Sequence, residues 1–385
     1  MRFADNRNKI GKYIPAVVFL IFIYGMALWF IFSPKPDYSS SEKRYLQKFP
    51  EVTAEKLLSG DFGSEFEIFF ADRFPQRNTW VGLNAYTALA EGNNGASGVY
   101  NCKNGYLINK PVSTENNLDK NIGAVADFAK SIDTPTTVML VPSTGYIVDD
   151  VLPTFHDKYN DDEDISKISS TLSKDKIGFV DLRERFKSEY KNGSQLYYKT
   201  DHHWTTKGAY TGYQELCKAL GITPIDDSTL KKDSYPGFYG TTYSSSGFWL
   251  TPPDNIEIWN NPKNSDRNIS VKITEGANIK TSGSMYFTDH LKEDDKYPVF
   301  IDGNHALTEI TNTNAKNGTI LLIKDSFSHS LAPFLAENYS KVVLVDLRYY
   351  KESVSDLVTT YNPEQVVVLY GIDNLATDTD IVWLK

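Results

Sequence analysis

The chain has 385 residues, with 40 Lys and Arg against 49 Asp and Glu, a net charge of −9. A hydrophobic share of 41%, with 13% aromatic residues, calls for a packed core and excludes a disordered chain. The acidic balance disfavours nucleic acid, whose phosphates need a basic face, and leaves a neutral sugar polymer open as a substrate.

The first twelve residues carry Arg2, Arg7, Lys9 and Lys12 against Asp5. Tyr13 to Phe32 then runs without a charge, long enough to cross a bilayer's hydrocarbon core, with Tyr13 and Trp29 near its ends. The positive flank predicts a cytoplasmic tail (1–12), a single transmembrane anchor (13–33) and an extracytoplasmic remainder. A cleaved signal peptide is the rival, against which stand the length of the run and the lack of a small-x-small cleavage site. Residues 34–95 read as a helical N-terminal segment packing on the main domain. Phe66, Phe69 and Phe70 share one face there, and Phe74-Pro75 ends the pattern.

Residues 96–385 read as the main domain. Asn104-Gly105 predicts a hairpin turn between Val99-Tyr100 and Tyr106-Leu107-Ile108. A helix over 114–131 leads to a buried strand at Thr136 to Val141. Residues 156–164 are polar and acidic, the pattern of an exposed loop. Helices are expected over 168–172 and 182–190, with a strand at Gly178 to Asp181 between them. Thr205 is a suitable N-cap for a helix from Thr206 to Leu220, closed by Gly221. Residues 231–300 read as an irregular antiparallel insertion. Strands follow at 319–323, 342–345 and 366–369, with a helix from Phe327 to Asn338. Strand, helix, strand predicts an α/β fold with a doubly wound parallel sheet. Cys102 and Cys217 form no framework and no C-x-x-C pair, so free thiols are expected and a cysteine zinc site is excluded.

Two stretches concentrate chemistry. Thr200-Asp201-His202-His203-Trp204-Thr205 packs an acid, two imidazoles and an indole into six residues. Downstream, the apolar run Gly318 to Ile323 stops at Lys324-Asp325-Ser326-Phe327. A serine hydroxyl needs a base to take its proton, and the base needs an acid to fix its tautomer. Ser326 stands where a buried strand turns into a helix, so its side chain is exposed beside backbone N–H groups suited to an oxyanion. A serine there is also an ordinary N-cap. Spacing allows either His203 or His202 as the base oriented by Asp201. Asp201, His202 and His203 also form a candidate divalent-metal set, with His329 or His305 as a distant further ligand, although the H-E-x-x-H spacing is absent. Asn304 and Lys324 are candidate oxyanion donors, and Trp204 a candidate wall. Tyr146 and Tyr370, at strand ends, with Trp249 and Trp259, are candidate sugar-stacking rings.

Together, Thr200-Asp201-His202-His203-Trp204, Phe69 to Pro75, Gly303-Asn304-His305-Ala306-Leu307 and Leu322 to Phe327 resemble the bacterial DHHW family. Through that family the chain resembles the SGNH-hydrolase-like O-acetyltransferases of the AlgX and AlgJ type. The resemblance implies that fold, with Asp201 as the acid, His203 rather than His202 as the base, and Ser326 as the nucleophile. It also implies a multi-pass membrane acyl-transfer protein and an exopolysaccharide machine as partners. The serine lacks the glycine of a Gly-Asp-Ser motif, and no carbohydrate-binding module follows. The expectation is a membrane-anchored, extracytoplasmic polysaccharide O-acetyltransferase or acetylesterase that needs no soluble cofactor. The rival is a non-catalytic carbohydrate-binding or scaffold subunit, in which Ser326 and His203 stand apart.

Overall fold

The structure is a computed structural model that describes residues 2–39, 41–112 and 117–384. It forms two compact units, Met1–Tyr86 and Thr87–Lys385.

The first unit begins with a helix over Arg2–Phe32. Its Tyr13–Phe32 stretch is apolar, and none of it is buried. Two short helices follow, Ala54–Ser59 and Asp61–Asp72, joined through Gly60 at φ +86°. The expected phenylalanine stripe is present: Phe66 lies 6.1 Å from Phe69 and 6.5 Å from Phe70 by ring centroids. The stripe meets Phe30 and Phe49 of the same unit, at 4.7 Å from Phe70 and 5.4 Å from Phe69 respectively.

The second unit is built on one eight-stranded sheet. Its strands are β1 (Thr136–Val141), β2 (Gly178–Asp181), β3 (Ile269–Glu275), β4 (Asn278–Ser282), β5 (Leu307–Asn312), β6 (Asn317–Lys324), β7 (Tyr339–Val345) and β8 (Gln365–Gly371). Their order is β4-β3-β5-β7-β6-β8-β1-β2. From β7 to β2 every pairing is parallel; β5, β3 and β4 extend the sheet antiparallel. All six residues of β1 are buried, as a strand covered on both faces requires. Val138 and Leu140 enter one apolar layer with helices α1 (Leu118–Ser131), α2 (Asp161–Lys174) and α5 (Val354–Tyr361). Met139 and Val141 enter the other, with α3 (Thr206–Leu220) and α4 (Ser328–Leu335). The expected α/β, doubly wound, mostly parallel sheet is thus present.

The connections place the crevice. From β6 the chain passes through α4 to β7 on one side, then through α5 to β8 on the other. Open sheets bind their ligands where connections diverge in this way, outside the carboxyl end of the strand. Ser326 stands two residues past the end of β6.

Several local expectations hold. The hairpin turn has Asn104 at φ +58° and Gly105 at φ +78°, and Thr205 caps α3 by accepting from Gly208 N at 3.1 Å. The helix expected over 114–131 begins at Leu118; residues 113–116 lie outside the described ones. Two expectations differ. The acidic stretch taken for a loop opens α2, because Asp161, Asp162, Glu163 and Asp164 occupy its first turn, where the helix dipole favours negative charge. The antiparallel insertion is two hairpins with different fates. Among the described residues, Lys231–Phe238 and Asp254–Asn260 pair only with each other. β3 and β4 become the edge of the main sheet, because Ile269, Val271 and Ile273 alternate inward.

Candidate active site

The serine turn is held from beneath. Asp325 accepts from Phe327 N at 2.9 Å, Gly371 N at 2.8 Å and Asn374 Nδ2 at 2.7 Å, which ties the turn to the end of β8. Asp325 is buried, and desolvation raises its pKa above the ordinary carboxylate value while those three donors oppose the rise. Ser326 does not act as a cap; its Oγ lies 2.7 Å from His203 Nε2.

The histidine turn is fixed by the insertion. Asp254 accepts from Lys199 N, Thr200 N and Thr200 Oγ1 at 3.0, 2.8 and 2.7 Å. Asp201 then accepts His203 N at 2.8 Å, His203 Nδ1 at 2.5 Å, Thr241 N at 2.6 Å and Thr241 Oγ1 at 3.2 Å. With its proton on Nδ1 facing the carboxylate, the His203 imidazole turns its Nε2 lone pair to the serine hydroxyl. The ring is sandwiched between His202 at 3.9 Å and Tyr297 at 4.1 Å, centroid to centroid. His202 points elsewhere, its Nδ1 at 2.6 Å from Thr241 Oγ1. Asp201, His203 and Ser326 therefore form one continuous hydrogen-bonded relay. It opens on a cavity of about 480 Å³ whose lining includes His202, Tyr297, Asn304, Arg348, Tyr370 and Asn374.

The other expected site residues divide. Asn304 and Tyr370 line the cavity. Trp204 does not; it is fully buried, and its Nε1 donates to Phe327 O at 3.0 Å and Ser330 Oγ at 2.9 Å, pinning the start of α3 to the serine turn. Lys324 is buried beneath the site, 2.7 Å from Asp346 Oδ2 and 2.9 Å from His329 Nε2. Desolvation lowers its pKa, against the pull of the Asp346 charge. Tyr146 lies off the cavity, with its hydroxyl on Asp162. Trp259 is core, against Tyr210 and Phe334, and Trp249 packs on Tyr243.

The metal alternative can be weighed on the same distances. Asp201, His202 and His203 do offer ligand atoms within 4.8 Å of one another. Both His203 nitrogens are already engaged in the relay, so a metal there would break it. The suggested further ligands are engaged too: His305 through both nitrogens, to Glu275 and Asp302 O, and His329 through Nε2 to Lys324.

A family model described as DHHW protein matches residues 112–345, more than half of the chain. The chain belongs to the DHHW protein family. The four letters stand here as Asp201, His202, His203 and Trp204, and the fold gives them distinct surroundings: relay acid, cavity lining, relay imidazole and buried strut. Among solved structures, a DHHW family protein from Eubacterium siraeum aligns with a TM-score of 0.63 at 17% identity, covering 75% of this chain and 95% of that one. PatB1 of Bacillus cereus aligns at 0.60 and 21% identity, over 73% and 98%, and has also been solved with a sulfonyl adduct. The O-acetyltransferase domain of Pseudomonas putida AlgJ aligns at 0.48 and 14% identity, over 75% and 95%. No curated protein matches. The DHHW chain thus has the α/β fold with a mostly parallel sheet expected of it.

Proposed function

We propose that this DHHW protein is a membrane-anchored, extracytoplasmic O-acetyltransferase or acetylesterase acting on a cell-surface or secreted polysaccharide. Ser326 is the nucleophile, His203 the general base and Asp201 the acid that orients it. The observation that carries this reading is the unbroken contact from Asp201 through His203 to Ser326, at 2.5 and 2.7 Å, beside an open cavity. A scaffold that had lost its chemistry would have no need to hold those atoms in register.

The reaction runs in two halves. Ser326 Oγ adds to the acetyl carbonyl carbon while its proton passes to His203 Nε2. The tetrahedral adduct expels the donor's oxygen, which takes that proton and leaves acetyl-Ser326. His203 then deprotonates a sugar hydroxyl, which takes the acetyl group and regenerates the serine; water in its place gives the esterase. Charge on the carbonyl oxygen would be met by Asn304 and by Ser326 N–H, which has no hydrogen-bond partner among the described residues. Tyr370 is suited to line the acceptor path. A multi-pass membrane acyl-transfer protein is the proposed source of acetyl groups, and the apolar helix at 13–32 the anchor that keeps the two together.

The test is an intact-mass measurement after incubation with an activated acetyl ester. The full chain in detergent should gain one acetyl group, and Ser326→Ala none. An equal gain in both would remove Ser326 from the mechanism.

A further inference from the structure

One group lining the cavity has no part in the relay. His329 lies three residues beyond Ser326, in the first turn of α4, and borders the cavity although it is only 1% exposed. Its Nε2 meets Lys324 Nζ at 2.9 Å. An ammonium has only protons to give, so Nε2 is the lone-pair nitrogen and the ring proton sits on Nδ1. Burial, then the Lys324 charge, hold the ring's pKa well below the ordinary value, which keeps it neutral. Nδ1 is therefore an N–H donor, and among the described residues this buried atom has no partner. Leaving such a donor unpaired is costly, and in a folded protein it calls for an explanation.

The surroundings supply one. Asp346, fully buried, holds two cations: Lys324 Nζ at 2.7 Å, and Arg348 through Nε at 2.9 Å and Nη2 at 2.7 Å. Lys324 occupies the acceptor atom of His329. Arg348 Nη2, at 2.9 Å from Asn304 Oδ1, occupies the acceptor atom of Asn304. Each cavity-lining side chain is thus left with only donors to offer, and a cation stands behind each. That arrangement suits an oxygen on which negative charge develops.

We propose that His329 Nδ1–H is an oxyanion donor, taking the acyl carbonyl oxygen as Ser326 adds to the carbonyl carbon, with Lys324, Arg348 and Asp346 as the positioning residues that fix its tautomer and the Asn304 rotamer. The proposal rests on the reading of Ser326 as nucleophile. Lys324 itself, which the sequence suggested as the donor, acts one step removed.

The test uses the full chain in detergent, labelled with ¹⁵N-histidine; six histidines give a readable spectrum. Methanesulfonyl fluoride is added. Ser326 Oγ displaces fluoride, an O–S bond forms as S–F breaks, and the hydroxyl proton leaves through His203 to solvent. The sulfonyl oxygens then stand where the carbonyl oxygen would. The His329 ring signals, assigned with His329→Gln, should shift and the Nδ1 proton should exchange more slowly. Unmoved His329 signals with Ser326 fully sulfonylated, as judged by mass, would overturn the proposal while leaving the nucleophile intact. Absence of any adduct would overturn the nucleophile and the donor role together. Kinetically, His329→Leu should lower kcat for ester turnover about 100-fold with KM little changed, and His329→Gln, which keeps an N–H, should lose less; parental kcat in both would count equally against it.

Discussion

At the scale of single residues, the site depends on how closely backbone can approach Asp201. Gly240 packs directly on that carboxylate: a Cβ at this position would lie 2.1 Å from Asp201 Cβ and 2.2 Å from Oδ2. The next residue supplies the Thr241 N–H that holds Oδ2. Gly240→Ala is therefore expected to push the carboxylate off His203 and lower turnover by about 100-fold, the order expected for a misplacement near 1 Å. Ester turnover, measured beside the thermal midpoint, checks it; parental turnover would mean that Asp201 does not need its present seat. The relay residues were legible in the sequence because their chemistry is carried by side-chain type: an acid two residues before a histidine, and a serine at the end of an apolar run. Gly240, Thr241 and Asp254 were not, because no spacing marks a residue that meets the site only after the insertion folds back across 39 positions or more. Lys324, a candidate oxyanion donor in the sequence, instead runs its side chain inward to Asp346.

Between elements, the carboxyl end of β1 shows how three pieces of the fold are fastened and at what electrostatic cost. Ser143 N donates to Asp161 Oδ1 at 2.7 Å, at the start of α2, and Ser143 Oγ donates to Asp373 Oδ1 at 3.1 Å, just past β8. Burial pushes Asp373 up to about 7 and Asp161 up to about 6, and the two charges oppose each other. An unfolded aspartate titrates near 3.9. From about pH 4 to 7 these two groups therefore hold more protons in the folded chain than in the unfolded one, so their contribution to stability falls as pH rises through that window. Asp373→Asn removes the buried charge while keeping an acceptor for Ser143. It should stabilise the chain at pH 8 by on the order of 2 kcal/mol, with the gain fading toward pH 4. Unfolding curves at both pH values decide it: a difference independent of pH would trace to packing instead. The parallel strands themselves were plain in the sequence, since strands buried on both faces read as unbroken apolar runs. The start of α2 was hidden because four acids in a row look solvated until the helix they cap is known. The antiparallel edge was hidden because strand partners are set by register across the sheet, which a single stretch does not encode.

For the whole molecule, the decisive feature is the exposed apolar helix. Tyr13–Phe32 is 20 residues long, about 30 Å at 1.5 Å per residue, which matches the hydrocarbon thickness of a bilayer. Its side chains are not buried; Ile21 is 67% exposed and Phe32 81%. Burying such a surface in lipid is favourable at roughly 25 cal/mol per Å², so water is not a stable home for it. The proposed orientation follows from the basic residues that lie before the span. A polymer hydroxylated outside the cell and an acetyl donor delivered through the membrane would then meet at one tethered site. The full chain is expected to stay with the membrane after an alkaline carbonate wash, and protease added to cells without permeabilisation should remove residues beyond 34. A mature protein in the medium that lacks residues 1–35 would make the helix a signal peptide, and the protein a secreted one with the same hydrogen-bonded relay. A chain that stays membrane-bound but resists external protease would reverse the orientation, and with it any access to an extracellular polysaccharide.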